Sequence, residues 1–251
     1  MSTFALFEDD TDEPVDVDFV TDTHRRRFVA LLIDTSQSMA TTQTNGMRAI
    51  DALNRELERW LPTVRAGGRG PLRDVEFVVI TFGATGVSVV SGNRTISAED
   101  GGAFVPASRL EIPPLAAGGA TPMVEAVELA LSLVEQRRQY VQTIHAQQTG
   151  GPRLILVSDG EPTDREGNPT DDWQRLAHRL EQWRATRRMQ LFAFGVPGVD
   201  DEVMRALATP NGYFPLEDLD LRRLLDLVLV ATTDHVDFER VRSHVFGDEI
   251  P

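Results

Sequence analysis

Residues 27–38 read Arg27-Phe28-Val29-Ala30-Leu31-Leu32-Ile33-Asp34-Thr35-Ser36-Gln37-Ser38: six consecutive apolar side chains, then an acid and a polar run. An apolar stretch without alternation marks a strand covered on both faces, as in a parallel sheet flanked by helices. The polar turn after it is then the carboxyl end of that strand, where open α/β sheets bind ligands. Beyond this turn, Met47, Ile50, Leu53, Leu57, Trp60 and Leu61 recur at helical spacing, and Pro62 predicts the end of that helix. Residues 75–82 predict a second strand, residues 83–104 hold short edge strands, and residues 110–117 form an extended linker. Met123, Val127, Ala130, Leu131, Val134 and Tyr140 predict a helix. Strands follow at 153–158, 189–196 and 213–214, with helices at 173–187, 202–208 and 220–231. Strands alternating with helices specify a mostly parallel, doubly wound α/β sheet of about six strands in one domain over residues 25–232.

The chain has 251 residues, 41% of them hydrophobic and 25% charged, as in an ordinary globular protein. It carries 39 acids against 25 basic residues, a formal net charge of −14. Such a chain repels phosphate backbones, so nucleic acid and anionic membranes are poor partners. More than half of the excess lies in residues 1–22, where Glu8, Asp9, Asp10, Asp12, Glu13, Asp16, Asp18 and Asp22 meet no basic group. Residues 1–24 are therefore expected to be an acidic arm and residues 233–251 a tail outside the domain. Every basic residue is Arg, and there is neither Lys nor Cys. That removes lysine-based catalysis, disulfides, thiolate metal sites and thiol nucleophiles. With no basic n-region and no long apolar stretch at the start, a cytoplasmic location is the expectation.

Three predicted turns at strand carboxyl ends collect oxygen donors: Asp34-Thr35-Ser36-Gln37-Ser38, Gly118-Gly119-Ala120-Thr121-Pro122 and Ser158-Asp159-Gly160-Glu161-Pro162-Thr163-Asp164. Taken singly, each has an ordinary reading as a helix cap or turn. Together they place Asp34, Ser36, Ser38, Thr121 and Asp159 on one sheet edge. Five oxygens and no nitrogen or sulfur suit a hard divalent cation, Mg²⁺ first, with Mn²⁺ or Ca²⁺ as alternatives. Glu161, Asp164, Asp171 and Asp172 lie near the same rim, where capping the helix at Trp173 is their plainest use.

In its order and spacing, this Asp-x-Ser-x-Ser, Gly-Gly-x-Thr and Ser-Asp-Gly set resembles the metal-ion-dependent adhesion site of von Willebrand factor A domains, over roughly residues 27–231. The details are most similar to the bacterial intracellular branch associated with tellurium resistance. There an Asp-Thr-Ser-x-Ser-Met strand end, a Val-Ile-Thr-Phe strand (here residues 79–82) and an Asp-Gly-Glu-Pro-Thr-Asp turn occur together. Gln37 stands where Gly is common, and residues 165–170 are an insert. The resemblance implies strand order 3-2-1-4-5-6 with one short antiparallel edge strand. It also implies that Ser36, Ser38 and Thr121 bind the cation directly, while Asp34 and Asp159 act largely through waters.

Neutral direct ligands leave the ion's charge poorly compensated and one position open to an outside carboxylate. The implied function is Mg²⁺-dependent protein–protein docking in a stress-response or defence pathway. The implied partners are a protein kinase and a PP2C-type phosphatase, or else a MoxR-type AAA+ ATPase. A carboxylate of the acidic arm is also a candidate for the open position. A dehalogenase-type phosphatase would need a second acid where Ser36 stands and a Lys, and a serine hydrolase a Gly-x-Ser-x-Gly elbow; all are absent. Mg²⁺-dependent hydrolysis remains the enzyme alternative to a non-enzymatic role.

Overall fold

The computed structural model describes residues 25–41, 46–83, 85–91, 102–159, 161–196 and 199–215. The predicted helix at 220–231, the arm and the tail lie outside the described residues.

The apolar run from Phe28 to Ile33 lies in β1 (Arg27–Thr35), the centre of the sheet and buried from Phe28 onward. Its neighbours are β2 (Val75–Gly83) and β5 (Arg153–Ser158), both parallel to it. Beyond β5 come β6 (Gln190–Gly195) and β7 (Tyr213–Pro215), also parallel. The far edge of β2 is covered twice by antiparallel pieces, β3 (Gly86–Val89) at its carboxyl half and β4 (Val105–Pro106) at its amino half. The order is β3-β2-β1-β5-β6-β7 with β4 beside β2. This is the expected order, with one additional two-residue strand that periodicity cannot reveal.

Alternate residues of each strand point to opposite faces and make two cores. Val29, Leu31 and Ile33 join Phe77, Val79, Ile155 and Val157 under α1 (Ala49–Gly67). Phe28, Ala30 and Leu32 join Val78, Ile80, Leu154 and Leu156 under α2 (Met123–His145), α3 (Asp172–Arg187) and α4 (Asp201–Leu207). No described helix is long and apolar enough to cross a membrane.

One boundary is corrected: α1 does not stop at Pro62 but runs through it to Gly67. Proline removes one helical N–H and strains the carbonyl four residues back. Here both Pro62 and Glu58 are exposed, so the orphaned carbonyl faces solvent, while buried Leu61 and Val64 hold the last turn on the sheet. Residues 110–117 form neither helix nor strand, as a linker should, and are tied to α1. Asn54 Nδ2 donates to the Leu115 carbonyl (2.9 Å), and its Oδ1 accepts the Leu115 N–H (2.8 Å). Arg65 Nε donates to the Leu110 carbonyl (2.8 Å). The linker so delivers Gly118 and Gly119 to the carboxyl edge.

Candidate metal site

Strand order reverses between β1 and β5, which opens a crevice at their carboxyl ends. Register pairs Ile33 with Val157, so the next residues, Asp34 and Ser158, stand side by side. Asp34 is fully buried. Its Oδ1 accepts the Ser36 N–H at 2.8 Å, and its Oδ2 accepts the Ser158 hydroxyl at 2.5 Å. Ser36 Oγ and Ser38 Oγ are 2.8 Å apart, and Ser38 Oγ donates to Asp159 Oδ1 at 2.6 Å across 121 residues of sequence. Asp34, Ser36, Ser38 and Asp159, read from two distant turns, thus form one hydrogen-bonded set.

The third turn is sewn to the first by backbone. The Gly118 N–H donates to the Thr35 carbonyl (2.8 Å) and the Gln37 N–H to the Gly119 carbonyl (3.1 Å). Thr121 follows, buried at the same edge. It is held by a residue that sequence reasoning passed over: the Thr121 N–H donates to Thr163 Oγ1 (2.7 Å), and the Thr163 N–H returns to the Thr121 carbonyl (2.9 Å). Nothing in a single sequence marks Thr163 for this, because the pairing joins loops that meet only in the fold.

On the other flank the first turn packs against β2. Thr35 Oγ1 donates to the Phe82 carbonyl at 3.1 Å. A Cβ at Gly83 would stand 2.3 Å from the Thr35 carbonyl, so only glycine fits beside it.

Of the rim acids, Asp164 and Asp172 have side-chain partners, and the expected capping of α3 by their side chains is not seen. Asp164 accepts from the Asn168 N–H (2.8 Å) and Nδ2 (2.9 Å), bonds that hold its carboxyl below the usual range. Arg165 forks onto Glu125 in the first turn of α2 and lowers that carboxyl too. Asp171 precedes α3 without a side-chain cap bond; the Asp172 N–H is instead met by Thr170 Oγ1 at 3.2 Å. Asp172 lies 3.5 Å from Arg175. Glu161 is exposed.

The two carboxylates at the centre of the site are not comfortable alone. Desolvation pushes the Asp34 carboxyl up to about 6 against the bonds from Ser158 and Ser36, and the nearby Asp159 adds repulsion. Burial raises Asp159 as well. No basic side chain among the described residues acts on either. Among the described residues no cluster of three or more His, Cys, Asp or Glu side chains is found. The expected donors are two acids and three hydroxyls, a set that would suit a hard cation tolerant of neutral oxygen ligands.

Comparison with known proteins agrees with this architecture. A family model described as von Willebrand factor type A domain matches residues 29–161. No curated protein sequence matches the chain. Among solved structures, the chain is similar to proximal thread matrix protein 1 from the mussel byssus, with 15% identity over 82% of this chain and a TM-score of 0.49. It is similar to the pilus adhesin SpaC from Lactobacillus rhamnosus GG, with 14% identity over 88% of this chain and a TM-score of 0.54. It is also similar to the TFIIH p34 N-terminal domain, with 11% identity over 90% of this chain and 99% of that one, and a TM-score of 0.52. The chain spans 47% of the byssus protein and 31% of the adhesin.

Proposed function

Because the chain belongs to the von Willebrand factor type A domain family, we propose that it is a protein-interaction module whose docking point is a divalent cation held at Asp34, Ser36, Ser38, Thr121 and Asp159. The observation that carries this reading is the buried pair Asp34 and Asp159, which has hydroxyl partners and, among the described residues, no positively charged one. A cation offsets the cost of burying both carboxylates. Ser36, Ser38 and Thr121 supply neutral oxygens, so the ion keeps charge with which to attract a carboxylate from a partner. Mg²⁺ is the first choice, and Mn²⁺ or Ca²⁺ would satisfy the same donors.

On the resemblance stated above, the partners are a protein kinase and a PP2C-type phosphatase, or a MoxR-type AAA+ ATPase, in a cytoplasmic stress-response or defence pathway. The role is docking and not hydrolysis. The test is retention of partner proteins on the immobilised chain with Mg²⁺, with EDTA, and with Asp34→Ala or Thr121→Ala. Loss of the same partner with EDTA and with either substitution supports the reading; retention through all of them overturns it. Turnover of phosphate esters that the same substitutions abolish would replace docking by catalysis.

A further inference from the structure

The described residues contain equal numbers of Arg and of acids, so the whole net charge of −14 falls outside them. Within them the charges separate along the strand axis. At the amino edge Arg25 precedes β1, Arg69 and Arg73 lie in the turn before β2, Arg109 follows β4, and Arg188 precedes β6. Asp74, Glu76 and Glu135 at this edge are already paired, with Arg73 (3.7 Å), with Arg26 and Arg137 (3.1 and 2.7 Å) and with Arg187 (3.4 Å). Arg25, Arg69, Arg109 and Arg188 are exposed and have no carboxylate partner among the described residues; Glu111 is a single unpaired acid beside them. At the carboxyl edge the sign is reversed. Glu161, Glu166 and Asp171 stand exposed around the candidate metal site, and the one Arg of that loop, Arg165, is bound to Glu125.

Basic residues in the last turn of a helix offset its dipole, which accounts for Arg65 in α1 and Arg187 in α3. That does not account for Arg25, Arg69 and Arg109, which lie outside the α-helices. With Arg188 they make four arginines without a carboxylate partner among the described residues, and the sequence just before Arg25 is acidic. Residues 8–22 hold eight carboxylates and no basic group, and Asp22 is three residues from Arg25. Tethering over so short a span gives an effective concentration of the order of millimolar. The candidate metal site is about 25 Å away at the other end of β1 by strand rise, behind carboxylates that repel the segment.

We propose that the acidic arm, residues 8–22, docks in cis on the arginine-lined amino edge of the sheet. The arm is thereby kept from the metal edge, whose open position is left to a partner. This rests on the charge distribution and not on the metal reading.

The chain has no Cys, so Thr11→Cys carries a single nitroxide label in the full-length protein. Amide signals are then recorded on isotope-labelled protein at low salt. Docking predicts loss of signal at Gly70, Ser108 and Gly151, with Gly119 and Thr121 unaffected. About 0.5 M NaCl, which shortens the screening length to a few ångström, is expected to restore the lost signals. The paired charge reversals Arg69→Glu and Arg188→Glu, both at exposed sites, are expected to restore them at low salt. Absence of signal loss at the amino edge, loss at Gly119 and Thr121 instead, or loss that salt does not relieve would each overturn the proposal. So would loss seen only between a spin-labelled copy and a second, isotope-labelled copy, since the arm would then dock in trans.

Discussion

Replacing Asp34 by Asn should make the metal-free protein more stable and make it unable to gain stability from metal. In the fold Asp34 carries a carboxyl held near 6 rather than 3.8, chiefly by burial. Between those values the native state binds a proton that the unfolded chain has released, so stability falls as pH rises from about 4 to about 6 and is level above. At neutral pH the cost is about 3 kcal/mol. Asn keeps an acceptor for the Ser36 N–H, and its amide can donate to Ser158 Oγ, whose hydroxyl must then turn; the exchange costs about 1 kcal/mol. The net gain is about 2 kcal/mol, or about 4–8 °C in Tm for a chain of this size. The assay is urea unfolding in EDTA at pH 5 and pH 7.5, repeated in excess Mg²⁺. Wild type should gain about 2.7 kcal/mol when the free ion is at 100 times Kd, which closes the gap, and the Asp34→Asn variant should gain nothing. If Asp34→Asn lowers stability in EDTA at pH 7.5, or if wild type is no more stable at pH 5 than at pH 7.5, the account of this buried carboxylate is wrong.

Three further outcomes follow from the same contacts. Thr163→Val removes the acceptor of the Thr121 N–H and should weaken Mn²⁺ binding, measured by spin resonance, by about 5- to 100-fold, the price of one unmet buried donor; Thr163→Ser should restore it. Glu76→Ala leaves Arg26 and Arg137 facing an uncompensated site at the amino end of β2 and should cost about 3–5 kcal/mol in urea unfolding, with Mn²⁺ affinity unchanged because the metal edge lies at the other end of the sheet. Gly83→Ala forces β2 off the Thr35 carbonyl and should cost more than about 1 kcal/mol and lower Mn²⁺ affinity as well, since the turn bearing Ser36 and Ser38 must move; an unchanged affinity would show that this turn is not braced by β2.

Much of this protein is legible one residue at a time. The run from Phe28 to Ile33, its echo at residues 153–158, and helical spacing between them define a parallel sheet, because the period of burial is a local property. The oxygen-rich turns are legible too, since they sit where buried strands end. Pro62 misleads because a proline's effect depends on which way the orphaned carbonyl faces, and that is decided by packing. β4 is invisible because two residues carry no period. The remaining features are set by strand direction. Parallel strands bring every carboxyl end to one edge and every amino end to the other. Asp34 and Asp159 therefore meet with no counter-charge among the described residues, Thr163 reaches Thr121, and arginines scattered along the chain from Arg25 to Arg188 gather opposite them. The order of residues already implies the charges and the buried strands; which charges stand together follows from the folded arrangement, because electrostatic energy depends on distance in space and not along the chain.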